Sequence, residues 1–210
     1  MGSFSVVSNI ASVNAQANLQ ATQGSLNKAL NRLSSGFRIN YSSDDAAGLV
    51  VANAHRSDAA VLSQGMRNAN DGLSDLQIKD GALANVSTLL DRLSTLATQA
   101  ASGSTSDDSR AILDAEFQDV LSEIDRQVAV AGLDADFDYS IFVSNDGADG
   151  KVEGTIAAVT TTDLGINASA IDSQANAETA VASIATAVQT LGTSQGTIGS
   201  LENRTQFAIS

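Results

Sequence analysis

The chain of 210 residues contains no cysteine, no proline and no tryptophan, and it has a single histidine, His55. Without cysteine there is no disulfide framework, thiol nucleophile or thiolate metal site. One histidine excludes the two-histidine zinc helix of metalloproteases. Average usage would supply roughly ten prolines in a chain of this length. Proline breaks helix interiors, because it removes a backbone donor and clashes with the preceding turn. A proline-free chain with only 4% aromatic residues therefore suits long exposed helices better than a bulky enzyme core. Lys plus Arg is 11 against 24 Asp plus Glu, a formal net charge of −13. Nucleic acid and anionic membrane surfaces need clustered positive charge, so neither is expected as the main partner. The longest apolar run, Ala46 to Ala52 counting Gly48, falls far short of the roughly 20 residues of a membrane span. The first basic residue is Lys28, so the charged start of a cleaved secretory signal is missing. Met1-Gly2 opens like a myristoylation site, but Val6 stands where Ser or Thr is needed.

What is present is helical periodicity. Leu19, Leu26 and Leu33 lie seven apart, as do Leu30 and Phe37, and together they form one narrow apolar stripe. So narrow a stripe makes a helix that is marginal alone and wants a partner. Gly36 breaks the pattern after Ser34-Ser35. Asp44-Asp45 then opens a second helix, its carboxylates placed at the positive end of the helix dipole. Ala69, Leu76, Leu83, Leu90 and Ala97 run in sevens along it, with Met66 and Leu73 flanking early and Val86, Leu93 and Ala100 late. A helix from about Ala46 to Ala100 would be roughly 80 Å long, which predicts a bend or a rod-like bundle. Gly65, Gly72 and Gly81 are the expected weak points. SGSTSDDS at Ser102 to Ser109 is a turn in which Thr105 and Ser106 are candidate caps for a third helix. That helix carries Ile112 or Leu113, Phe117, Val120, Ile124 and Val128, and Gly132 closes it.

The period then changes. Tyr139, Ile141 and Val143 alternate with Ser140, Phe142 and Ser144, Asn145 to Gly150 is a turn, and Val152, Ile156 and Ala158 alternate beyond it. This is a hairpin pattern. After Gly165 the helical period returns, with Ile184, Leu191, Ile198 and Thr205 seven apart beside Val181 and Val188. The pattern still runs at Ser210 without a cap, as in a helix cut rather than finished. The fold expected is mainly α: an elongated antiparallel helical bundle or coiled-coil rod with a small β-hairpin region.

No chemistry emerges from the polar residues. Adjacent carboxylates do not face each other on a helix, so Asp44-Asp45 and Asp107-Asp108 read as helix starts. Asp134, Asp136 and Asp138 alternate but have no supporting ligand cluster. Asn145 to Gly150 fails as a calcium loop, because Gly147 and Ile156 fall at two ligand positions. His55 reads as surface or packing. The sequons at Asn40, Asn85, Asn167 and Asn203 are short and common by chance, and two of them fall in expected helices. No phosphate-binding glycine loop or nucleophile elbow is present. An enzyme is not expected, nor is any cofactor or metal.

Several blocks, taken in order, point to one family. NRLSSGFRIN at Asn31 to Asn40 is followed by DDAAGL at Asp44 to Leu49, RNANDGLS at Arg67 to Ser74, GAL at Gly81 to Leu83, LSTLATQA at Leu93 to Ala100 and EIDR at Glu123 to Arg126. Together they resemble the N-terminal part of bacterial flagellin, over about Val6 to Val128. TTTDLGI at Thr160 to Ile166 and the helix from Ala177 resemble the returning C-terminal half of the same core. The resemblance implies a structural subunit of the flagellar filament, exported unfolded through the flagellar apparatus without a cleaved signal and polymerised outside the cell. It implies other flagellin subunits, an export chaperone and a cap protein as partners. It divides the chain into 1–40, half of an inner filament domain, and 41–210, a helical rod with a hairpin insert at about 134–166 and a returning helix at about 175–210. It also implies recognition by a vertebrate Toll-like receptor, through Arg92, Leu96 and Glu116 as the matching positions. An arginine beside an exposed leucine one turn away would suit such a hot spot.

The resemblance has two departures. The family's Asn-Gly turn with paired leucines after the third helix is replaced by AGLDADFDYSIFVSNDG, and the chain ends at Ser210 where the family continues for many more helical turns. With that partner helix absent, Gly2 to about Gly36 is expected to be disordered in a free monomer. Within the family the alternative is a hook–filament junction protein. From another class, the alternative is a secreted binding module that borrows the rod, which a convergent polar or aromatic site in the insert would favour.

Overall fold

The computed structural model describes residues 9–147 and 149–210. The Met1-Gly2 start and the family's first matching residues, up to Ser8, lie outside the described residues. The chain divides into two compact units, Met1–Ala59 and Ala60–Ser210. The fold is mainly α, with one two-stranded antiparallel sheet.

The first unit holds helix α1 (Ile10–Ser35) and the opening turns of α2 (Ala46–Ala101). Asn9 caps α1 by accepting from the Ser12 amide, and Gly36 ends it with φ of +73°, a conformation that costs glycine nothing. The joint expected at Gly36 is therefore a left-handed cap. Asn40 folds the following turn back onto the helix, its amide donating to Asn31 O at 3.2 Å and to Ser35 Oγ at 2.7 Å. Asp45 starts α2 by accepting from the Gly48 amide at 2.9 Å, which satisfies one of the unpaired N–H groups of a first turn. The segment expected to be disordered is thus helical from Ile10. Its alanines, leucines and glutamines are good helix formers, and both ends are capped. None of its side chains is buried.

The second unit packs the rest of α2 with α3 (Asp107–Ala131), α4 (Gln174–Ile209) and the hairpin β1 (Phe137–Phe142) and β2 (Lys151–Ile156) around one hydrophobic core. Ala69, Leu76, Leu83, Leu90 and Ala97, the series in sevens, are all fully buried. Ile184, Leu191, Ile198 and Thr205 face them from α4 as buried residues, whereas Val188 is exposed and Val181 half-buried. On α3 the inward residues are Phe117, Leu121, Ile124 and Val128. Ile112 is exposed, and Val120 and Leu113 are only half-buried. Ser106 is the cap of α3, accepting from the Ser109 amide. Thr105 instead donates to Gln99 O at the end of α2.

β1 and β2 pair antiparallel from Phe137 opposite Ile156 to Phe142 opposite Lys151. Tyr139, Val152 and Ile156 point inward as expected, but the inward place between the last two is Gly154. A Cβ there would sit 2.8 Å from Leu201 Cδ2, so α4 takes the space a side chain would occupy. The same holds where the hairpin meets α2. Gly65 and Gly72, expected as weak points, are helical and buried. A Cβ on Gly65 would lie 2.0 Å from Val143 O, and one on Gly72 1.9 Å from Ile141 Cδ1. The glycines are the seats of the hairpin. Gly81 has open space beside it and takes no part in this contact.

These distances separate three substitutions. Gly81→Ala should stabilise by about 0.5–1 kcal/mol, the helix-interior difference between the two residues. Gly72→Ala should destabilise by about 1–3 kcal/mol through overpacking against a movable side chain. Gly65→Ala should cost more, because a backbone carbonyl cannot rotate away. Urea midpoints of the three variants check the order. Amide exchange checks the other contrast: α1 should exchange fastest of the four helices, because nothing buries it, and strong protection there in a monomer would contradict this.

Candidate functional site

The described residues present two surfaces that sequence patterning singles out, one in each unit. In the first unit, Leu19, Leu26, Leu30, Leu33 and Phe37 are all more than half exposed, and Leu33 reaches 81%. Helical spacing places the four leucines on one face of α1, so that stripe is contiguous rather than scattered. Phe37 lies just past the Gly36 cap. Lys28, Arg32 and Arg38 line a shallow groove together with Leu33 and Phe37. The Arg56 guanidinium stands 5.7 Å from the Phe37 ring centre, a cation–π contact that orders the ring without covering the stripe. Exposed contiguous apolar surface of this kind marks an interaction site.

In the second unit, Arg92 on α2 meets Glu116 on α3. Arg92 Nε donates to Glu116 Oε1 at 2.9 Å, and Nη2 contacts the same oxygen. The side chains are 51% and 45% exposed, so the pair adds little stability, of the order of 0–1 kcal/mol. Its effect is to hold both charges in register on the surface. Leu96 does not join them. It is 1% exposed, because Leu93, Leu96, Ala97 and Ala100 make one inward stripe and Leu96 packs in the core. The expected exposed leucine beside Arg92 is therefore corrected. The apolar neighbour that remains exposed is Ile112, four residues before Glu116 on the same face of α3. Its place among the expected inward residues of α3 hid it from the periodicity.

Two buried cations fasten α2 and α3 to each other. Lys79 Nζ donates to Ala131 O at 2.8 Å and lies 4.1 Å from the Phe137 ring centre. Arg110 Nε donates to Ala100 O at 2.8 Å, its Nη2 to Ser102 O at 3.0 Å and its Nη1 to Asp107 Oδ1 at 2.8 Å. Each cation therefore satisfies carbonyls at a helix C-terminus, where the helix dipole favours positive charge. Both had a sequence signal. Lys79 stands three after Leu76 and four before Leu83, and Arg110 stands seven before Phe117, so both occupy core register.

The carboxylates are structural too. Asp125 accepts from the Thr161 amide and hydroxyl, each at 2.8 Å, and Asp114 accepts from the Ile171 amide at 2.7 Å. Asp136 accepts from the Ala158 amide and Asp138 from the Thr155 hydroxyl. Among the described residues no group of three or more metal-ligating side chains converges. Hydrogen bonds from Arg126 and then Gln127 hold the Glu123 carboxyl at about 2, down from 4.5. Burial, and then the charge of Asp80, push the Glu202 carboxyl up. Burial likewise raises the Tyr139 hydroxyl. That hydroxyl lies 3.0 Å from Thr205 Oγ1, and since the Thr205 hydroxyl donates to Leu201 O, Tyr139 is the donor. His55 is exposed on α2.

Comparison with known proteins identifies the framework that carries the two surfaces. The B-type flagellin of Pseudomonas aeruginosa is 44% identical over 123 residues, covering 59% of this chain and 25% of that protein. The phase 1 flagellin of Salmonella naestved is 46% identical over 111 residues, covering 53% of this chain and 22% of that one. The chain thus spans a quarter or less of the length of these relatives. The crystal structure of Bacillus cereus flagellin superposes with a TM-score of 0.59 at 28% identity, covering 69% of this chain and 87% of that one. Residues 6–132, more than half of the chain, match the family described as the bacterial flagellin N-terminal helical region. On that match, and on the motifs from Asn31 to Arg126 that first suggested it, this chain belongs to the flagellin family.

Proposed function

We propose that this chain is a structural subunit of the bacterial flagellar filament, secreted to the cell exterior, where it polymerises with copies of itself. It works by assembly and not by catalysis. The observation that carries this reading is the open stripe of α1. A capped helix of 26 residues with no buried side chain gains stability only by burying Leu19, Leu26, Leu30, Leu33 and Phe37 against another surface. Each such leucine is worth about 1.5–3 kcal/mol when covered. In this reading residues 1–40 form half of the inner filament segment and residues 41–210 the rod. An export chaperone and a cap protein are further partners in this reading. Head-to-tail contacts between copies that do not close a ring generate a filament.

Electron microscopy after seeding tests the proposal. The chain, alone or extended at its C-terminus by a flagellin terminal helix, should grow on seeds. Leu26→Asp with Leu33→Asp in the extended chain should abolish growth while leaving the urea midpoint of the second unit unchanged. If the extended chain stays a folded monomer, the filament reading fails.

We further propose that a vertebrate Toll-like receptor recognises the Arg92–Glu116 surface. The support is an interhelical ion pair, held by buried neighbours, that presents an arginine beside exposed Ile112. Leu96 contributes from beneath, by fixing the helix that carries Arg92. Arg92→Ala should lower receptor activation by about tenfold or more, the effect of losing an interface hot spot, without lowering the unfolding free energy from urea titration by more than about 1 kcal/mol. Unchanged activation in a reporter-cell assay would rule this surface out.

A further inference from the structure

The sequence contains four Asp-Gly dipeptides, at Asp71-Gly72, Asp80-Gly81, Asp146-Gly147 and Asp149-Gly150. An aspartate followed by glycine is open to backbone rearrangement, because no side chain shields the glycine nitrogen from the aspartate carboxyl carbon. The fold treats the four differently. Asp71-Gly72 and Asp80-Gly81 lie inside α2. There each glycine N–H is committed to the carbonyl four residues back, and the helical backbone holds the nitrogen away from the preceding side chain. Gly72 is further enclosed by Ile141 and Tyr139. Gly150 is buried, with Ser144 O 2.7 Å from where its Cβ would stand, and its carbonyl accepts from the Val143 and Ser144 amides. Of the four, Asp146-Gly147 is the pair whose residues are both exposed and also outside a helix, in the turn between β1 and β2. Gly147 has φ of +59°, and among the described residues no hydrogen bond engages its N–H.

We propose that Asp146 is a site of spontaneous isoaspartate formation, gated by the fold, and hence a methyl-acceptor site for repair enzymes of the isoaspartyl methyltransferase class. The Gly147 nitrogen attacks Asp146 Cγ. An N–Cγ bond forms, the Cγ–O bond of the protonated carboxyl breaks, and its hydroxyl leaves as water with the amide proton, which closes a succinimide ring. Water then adds to either ring carbonyl. Addition at the former backbone carbonyl breaks its bond to nitrogen and leaves that carbon as a free carboxylate, with the chain running on through Cγ. Water lost equals water gained, so the product is an isomer of the starting chain. The main chain gains one methylene on the tip side of the Val143 N–H to Gly150 O bond of 2.8 Å. That bond closes the hairpin beneath the turn, so the strand register below it is kept.

The test ages the full chain in neutral buffer at body temperature and reads isoaspartate in two ways: by methyl transfer from labelled S-adenosylmethionine with a purified isoaspartyl methyltransferase, and by electron-transfer fragmentation of peptides. Asp146 should accumulate isoaspartate about tenfold or more faster than Asp71, Asp80 and Asp149, since turns open freely while core helices open only through costly fluctuations. In denaturing urea the four sites should react at similar rates. Asp146→Glu should remove the methyl-acceptor signal and keep the urea midpoint. The proposal is overturned if Asp146 stays unmodified, if the helical sites keep pace with it in buffer, if the preference for Asp146 persists in urea, or if Asp146→Glu leaves the signal in place.

Discussion

The seam of side chains that recurs every seven residues along α2, from Ala69 to Ala97, is the surface on which the second unit is built. A seven-residue repeat keeps one face of a helix turned toward a partner over many turns, provided that partner carries the same repeat. α4 carries it through Ile184, Leu191, Ile198 and Thr205, and α3 packs its own inward face on the same core. The seam residues of α2 and α4 are all small or aliphatic, which is how a chain with so few aromatics still buries a continuous core. Once the helices are aligned by that seam, their ends and the hairpin have only one place to go. Lys79 and Arg110 then fasten carbonyls at the ends of α3 and α2, in positions that only a long cationic side chain can reach.

Periodicity made the helices legible because their repeats are long. The helix ends at Gly36, Ser106 and Gly132 were signalled by residue types favoured there, whereas Asn9 and Ser173, the caps of α1 and α4, stand among residues of the same kind and were not singled out. The hairpin was legible from its alternation, but its docking was not. Gly65, Gly72 and Gly154 look like weaknesses in a one-dimensional reading, since glycine lowers helix and strand propensity. In three dimensions each is the point where another element comes too close for a Cβ. Sequence spacing cannot tell the two apart, because the atom that excludes the side chain lies far along the chain.

The same gap explains Leu96 and Ile112. Residues three and four apart share a helix face, but a face has a width, and only packing decides where its edge falls. Leu96 falls inside the edge and Ile112 outside it. A motif match transfers residue types to positions and says nothing about which atoms reach solvent. The charged members, Arg92 and Glu116, were easier to place, since neither could be buried without a full set of partners.

The segment between β2 and α4 has a further consequence. It crosses the helices without joining the sheet, and its amides at Ala158, Thr161 and Ile171 are satisfied by carboxylates of Asp136, Asp125 and Asp114. Side-chain acceptors stand in for the strand that would otherwise pair there. Those donors are thus not available to another chain, and this stretch offers no template for the edge-to-edge pairing by which sheets aggregate. Part of the acidic surplus of this chain is therefore a means of sealing irregular backbone.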